Sequence, residues 1–270
     1  SYRPPHNDLI FPANIRAGMV AWNALFLNQN SFKPDATKSA AWNRGAWIVT
    51  GAGHCGACHS PKNFMFADKA GDNMQGNLVD GWFAPNITNA KRDGLGDWSA
   101  QEIVQFLKTG RSAHAWAAGP MQQVVEESTS RMRDADLNAI ATYLKSLAPV
   151  APKLPHAPDA RQMHDGQAVF VERCSACHTR TSAQGYPTLA GNTLVQSQNP
   201  DTVLRIILQG ASTADTKSAG SGFSMPAFPV LSDKELADVA TYIRNSWGNK
   251  AEPVSAHDAK SLRRVSKSGE

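Results

Sequence analysis

"GHCGACHS" spans residues 53–60, and "ERCSACHT" spans residues 172–179. These two stretches hold the only four cysteines in the chain. In each, two residues separate the thiols and a histidine follows the second thiol directly. Structural zinc uses paired cysteines but leaves that histidine unexplained. A thioredoxin-like redox pair occurs once, beside a strand–helix unit, and two disulfides would need no histidine. C-x-x-C-H is instead the attachment pattern of c-type haem. Two intervening residues let one helical turn present both sulfurs to one porphyrin edge, where each adds to a vinyl group. The next residue then lies under the iron. The expectation is two covalently attached haem c groups (iron). Cys55, Cys58 and His59 serve the first, and Cys174, Cys177 and His178 serve the second.

The segments after the two motifs repeat one another. "EIVQFLKTG" (102–110) matches "TVLRIILQG" (202–210), and "DADLNAIATYLKSL" (134–147) matches "DKELADVATYIRNS" (233–246). Each copy runs haem motif, apolar helix closed by glycine, methionine, final helix. Two copies of one unit predict two similar domains. Ser99 with Glu102, and Ser232 with Glu235, are capping boxes. Asn199 and Pro200 read as an N-cap and first-turn pair. Gly110 and Gly210 suit left-handed helix stops. Arg133 stands where the second copy has Ser232, so that cap is missing or supplied otherwise. Leu137, Ile140, Tyr143 and Leu144 recur at helical spacing, as do Leu236, Val239, Tyr242 and Ile243. Between the copies, Pro149, Pro152, Pro155 and Pro158 recur every third residue and favour an extended spacer. Near the start, Ile15, Met19, Trp22 and Phe26 share one helical face. That face either packs on its own domain or docks another domain or subunit.

The second axial position of each iron suits a thioether, which favours electron transfer. Met225 in "FSMPAFP" lies on a loop between two helices, and Met121 in "AAGPMQQ" holds the corresponding place in the first copy. Met132 is a rival that touches the start of the final helix. Met65 and Met74 lie too near the first motif to reach the opposite face easily. His114 is the alternative sixth ligand of the first unit. Pro85 in "FAPNIT" and Pro187 in "GYPTLAG" can offer their carbonyls to the second nitrogen of each ligand histidine. Trp82, Trp98 and Trp116 are expected to cover the first haem, with indole N–H groups in reach of propionates.

Hydrophobic residues make up 41% of the chain and charged residues 19%, and the formal charge is +4. No run of about 18 apolar residues exists to span a membrane, and "SYRPPHNDLI" lacks the regions of a secretory leader. Basic residues are scattered except in "KSLRRVSKSGE", and no nucleic-acid partner is expected.

"WNRGAWIVTGAGHCGACHSP", "DGWFAPNIT", "FLKTGR", "DLNAIATYLKSL", "FSMPAF" and "VATYIRNSWGN" together resemble the cytochrome c subunit of membrane-bound bacterial alcohol and sugar dehydrogenases, the gluconate and sorbitol types among them. That family usually carries three haem domains, and the chain is similar to the second and third. The expected fold is all-α, with two tandem class I-type cytochrome c domains. Residues 1–30 would form a connector with an amphipathic helix, 31–148 the first domain, 149–158 a Pro-rich linker, 159–249 the second domain and 250–270 a basic tail. The resemblance implies a non-catalytic diheme relay, periplasmic and peripheral on the cytoplasmic membrane. It would pass electrons from a catalytic dehydrogenase subunit (flavin, pyrroloquinoline quinone or molybdenum type) to ubiquinone or the respiratory chain. A preceding third haem domain is a further implied partner. The basic tail is poor in apolar residues and reads as a doubtful anchor. The alternatives are a diheme enzyme such as a cytochrome c peroxidase, or a diheme subunit of a terminal oxidase.

Overall fold

A computed structural model describes residues 9–27, 30–69, 71–149, 154–178, 186–219 and 223–268. In chain order the helices of the first half are α1 (Gly18–Phe26), α2 (Ala40–Trp47), α3 (Gly56–His59), α4 (Ala100–Thr109), α5 (Pro120–Glu127) and α6 (Asp134–Ser146). The second half supplies α7 (Ala160–Arg173), α8 (Asp201–Gln209), α9 (Asp233–Arg244) and α10 (Ala256–Ser268). Two small antiparallel hairpins interrupt the helices: β1 (Asn77–Val79) with β2 (Trp82–Ala84), and β3 (Ala211–Ser212) with β4 (Ser224–Met225). The fold is mostly helical rather than strictly all-α.

The helices gather around two cores. In the first, α6 lies between α2 and α4, burying Ile48, Val49, Trp98, Ile103, Leu137, Ile140 and Leu144. In the second, α9 packs on α7, α8 and α10, burying Phe170, Leu204, Ile207, Leu236, Val239, Ile243 and Leu262. One device brings the backbones together in both. A Cβ on Gly45 of α2 would lie 2.0 Å from the Ala139 carbonyl oxygen of α6, and one on Gly166 of α7 would lie 2.1 Å from that of Asp238 of α9. Only hydrogen on these two α-carbons lets the helices cross this closely.

The local signals behave as physics demands, with instructive exceptions. Both capping boxes form, at Ser99/Glu102 and Ser232/Glu235. Gly110 is left-handed (φ 75°, ψ 7°), while Gly210 keeps a positive φ of 76° with an extended ψ of 178°. Arg133 caps nothing with its side chain and pairs instead with Asp136. At α8 the N-cap falls on Pro200, one residue later than expected, yet the Asn199 side chain still accepts from the Asp201 amide at 2.7 Å. The Asp80–Gly81 turn of the first hairpin has φ of 49° and 72°, as two-residue hairpin loops require.

Three expectations need correction. Helix α1 begins at Gly18, leaving Ile15 in the preceding turns. It is also not two-faced: "GMVAWNALF" holds one strongly polar residue, and Met19, Val20 and Leu25 are all exposed. Trp22, Asn23 and Phe26 are half-buried, and the Trp22 indole donates to the Met65 carbonyl at 2.8 Å. Second, the stretch expected as a basic tail is folded. Helix α10 buries Ala259 and Leu262 in the second core, exposes Lys260 and Arg264, and ties back to Asp233 through the half-buried Arg263. Third, Met225 sits in strand β4 opposite Ala211 rather than in a loop. Of the proline-rich spacer, residues 154–159 carry no helix or strand, and Pro152 lies outside the described residues.

Candidate haem sites

Each C-x-x-C-H motif folds into one helical turn. The His59 amide donates to the Cys55 carbonyl at 2.9 Å, and the His178 amide donates to the Cys174 carbonyl at 2.9 Å. The approaches differ. In the first unit a π-helical turn, Ile48–Ala52, separates α2 from the motif, while in the second α7 runs directly into Cys174. All four thiols are free. Burial pushes the Cys55 thiol up, and pushes Cys174 to about 11 with a smaller push from Cys177. A redox-active or metal-binding cysteine needs the opposite shift, toward thiolate. Burial thus disfavours the thiolate at Cys55 and Cys174.

The histidines follow the same logic with unequal completeness. His59 Nδ1 faces the Pro85 carbonyl oxygen at 2.7 Å, immediately after β2. A carbonyl only accepts, so Nδ1 carries the proton and the Nε2 lone pair is left for a metal. Burial lowers the His59 pKa, and the bond to Pro85 acts in the opposite direction. His178 is likewise lowered by burial and raised in part by the nearby Pro187 carbonyl. Its Nδ1 is nevertheless buried without a partner of hydrogen-bond geometry. Residues 179–185, between the two, lie outside the described residues.

The methionines separate by environment. Met74 is buried in the first core, Met132 packs against the same core, and the Met65 carbonyl anchors Trp22. Met121 is half-buried in the first turn of α5, after Gly119 at φ 56°, against Ala117, Val125 and Ala214. Met225 is half-buried against the second core. His114 stacks on Trp98 with ring centroids 5.3 Å apart, and its Nε2 lies 3.3 Å from Glu102.

The tryptophans do not act as one group. Trp98 is 4% exposed, and its indole N–H has no partner. Trp82 packs against Gly119 and lies under the Arg205 guanidinium, 5.3 Å from its ring centroid. Trp116 faces Phe223 of the second half. Buried donors without acceptors are rare in folded chains. Trp98 Nε1 and Arg111 Nε are both of this kind. An acid-bearing prosthetic group would supply the missing acceptors, so the described residues suit haem with its propionates. Gly45, Gly166 and Arg111 are close-contact positions that the sequence alone does not flag. A glycine before each motif, in "WNRGAW" and "HDGQAVF", is the available signal for the first two.

The cytochrome c family model matches residues 42–148 and 163–247. The chain is 35% identical to the fructose dehydrogenase cytochrome subunit of Gluconobacter japonicus, over 96% of this chain and 60% of that protein. It is 37% identical to the cytochrome c subunit of the quinone alcohol dehydrogenase of Gluconacetobacter polyoxogenes, over 95% of this chain and 60% of that protein. It is 35% identical to the cytochrome c subunit of the gluconate 2-dehydrogenase of Pantoea cypripedii, over 96% of this chain and 64% of that protein. The chain thus spans less than two thirds of the length of these relatives. Both motif-bearing segments fall inside the matched residues, and the chain belongs to the cytochrome c family.

Proposed function

We propose that this chain is a diheme electron relay of two tandem cytochrome c domains, serving a dehydrogenase complex. The observation that carries the reading is the doubled turn: two C-x-x-C-H segments of the same hydrogen-bonded shape, each with a histidine beside a proline carbonyl. Haem, when bound, supplies a one-electron iron couple. The chain's own residues do the rest. Cys55, Cys58, Cys174 and Cys177 attach the groups, and His59 and His178 present Nε2 to the metals. Met121 and Met225 complete the ligand sets. The engagement of His114 with Trp98 and Glu102 favours Met121 over it. With these methionines as second ligands, neither iron would keep the open position that peroxidase chemistry needs.

The electron donor in this proposal is a catalytic dehydrogenase subunit that oxidises an alcohol, sugar or sugar acid, and the acceptor is ubiquinone. The setting is the periplasm, peripheral to the cytoplasmic membrane. No helix among the described residues is long and apolar enough to cross a membrane. The names of the relatives, as cytochrome subunits of fructose, alcohol and gluconate dehydrogenases, support this donor class.

Intact mass of the purified protein is expected to exceed the polypeptide by two haems, with no free thiol. One haem, or zinc, would overturn the reading. In Met121→Ala and Met225→Ala each haem should stay attached while losing its methionine–iron charge-transfer band. A high-spin haem in the unmutated protein would instead favour the peroxidase.

A further inference from the structure

The two cores meet through the segments that carry the candidate methionine ligands. From the first half come residues 110–126, and from the second come residues 186–188, 211–219 and 223–225. Ala214, fully buried, packs with Ala117, Val125 and Met121. The Gln122 and Ser212 side chains lie within hydrogen-bond distance, and Glu126 accepts from the Asp215 amide at 2.7 Å. Thr188, beside Pro187, donates to the Ala113 carbonyl at 2.9 Å.

Arg111 lies in the middle of this junction. Its guanidinium is 5.2 Å from the Trp116 ring centroid and 5.6 Å from that of Phe223. Those rings are themselves 5.9 Å apart, and Tyr186 continues the row at 5.5 Å from Phe223. One Arg111 nitrogen donates to the Thr213 hydroxyl at 3.1 Å, and that hydroxyl accepts from the Phe223 amide at 3.0 Å. A single planar cation therefore grips one ring and one backbone turn of the second half while resting on a ring of the first. These protein partners are all uncharged, a guanidinium stays charged at any ordinary pH, and its Nε is left for an acidic group.

Resting on the diheme reading above, we propose that Arg111 is the positioning residue of the passage between the two haem sites. It acts in two ways. Its stacked plane locks the two methionine segments in one register, which fixes the separation an electron crosses as one iron is oxidised and the other reduced. Its charge, shared by both sites, disfavours the more positive ferric state of each and so raises both potentials. Arg111→Gln removes charge and stack, whereas Arg111→Lys keeps the charge but loses the plane.

The test uses the haem-loaded protein. Spectroelectrochemical titration gives both midpoint potentials, and flash reduction gives the internal transfer rate. In Arg111→Gln both potentials should fall, and internal transfer should slow by about threefold or more, the factor a lost stacked cation brings to a docked–undocked balance. In Arg111→Lys the potentials should stay near those of the unmutated protein while transfer still slows. Unchanged transfer in both variants, or a shift confined to the first haem, would overturn the proposal. Absence of a second haem or of methionine bands in the unmutated protein would count against the relay reading itself.

Discussion

Glycine at residues 45 and 166 sets two opposing effects against each other. Alanine in a helix interior is preferred over glycine by up to about 1 kcal/mol. Here, however, the added Cβ would meet a backbone carbonyl at 2.0 or 2.1 Å, not the movable end of a side chain. Overpacking of this kind typically costs about 1–3 kcal/mol, so the clash wins. Gly45→Ala and Gly166→Ala should each be destabilised in denaturant titration, and the helix axes should be forced apart. A neutral or stabilising effect would mean that the helices do not cross so closely. The role of these glycines is hard to read from sequence because a close approach is a property of two segments. Each glycine alone reads only as a weak spot in a helix. Cys55, Cys58 and His59, by contrast, are legible at once, because their chemistry is complete within five residues.

Among the elements, α2 and α6 are joined by a charge device as well as by packing. Asp136 on α6 receives Arg44 of α2 at 2.7 Å and Arg133 at 3.0 Å. Arg44 first, then Arg133, hold the Asp136 carboxyl below the ordinary aspartate value. A depressed folded pKa means that the contribution is present above the unfolded value of about 3.9 and fades as pH falls through the folded one. Arg44→Met should therefore melt below the unmutated protein near neutral pH, and that gap should narrow as pH is lowered below the ordinary aspartate value. A gap independent of pH would assign the loss to packing of the Arg44 stem. Elements whose signals are local are readable in advance: the two capping boxes and the left-handed Gly110 lie where the sequence puts them. The first hairpin has a local signal too, since "VDGW" carries the Asp–Gly turn pair. Helix α10 is hidden because its apolar residues are few, and their burial depends on a surface made by α8 and α9.

At the scale of the whole chain, the question is whether two cores behave as one body. A second contact answers it independently of Arg111. Thr202, buried at the start of α8, inserts its hydroxyl into the edge of β2. It accepts from the Phe83 amide at 2.7 Å and donates to the Phe83 carbonyl at 3.1 Å. Beside it, Arg205 donates to the Gly81 carbonyl at 3.0 Å and covers Trp82. A hydrophobic clamp would only hold the surfaces near one another, whereas this one fixes register, because a hydroxyl must meet both groups of one residue. Nothing in either repeat announces it, since the pairing exists only between the repeats. Thr202→Val keeps the volume and strands a donor and an acceptor, each worth about 1–3 kcal/mol if water cannot reach it. Calorimetry of the haem-loaded protein should then show one transition in the unmutated chain and two in Thr202→Val, with both haems still low-spin. Two transitions already present without the mutation would mean that the junction aligns the cores but does not couple their stability.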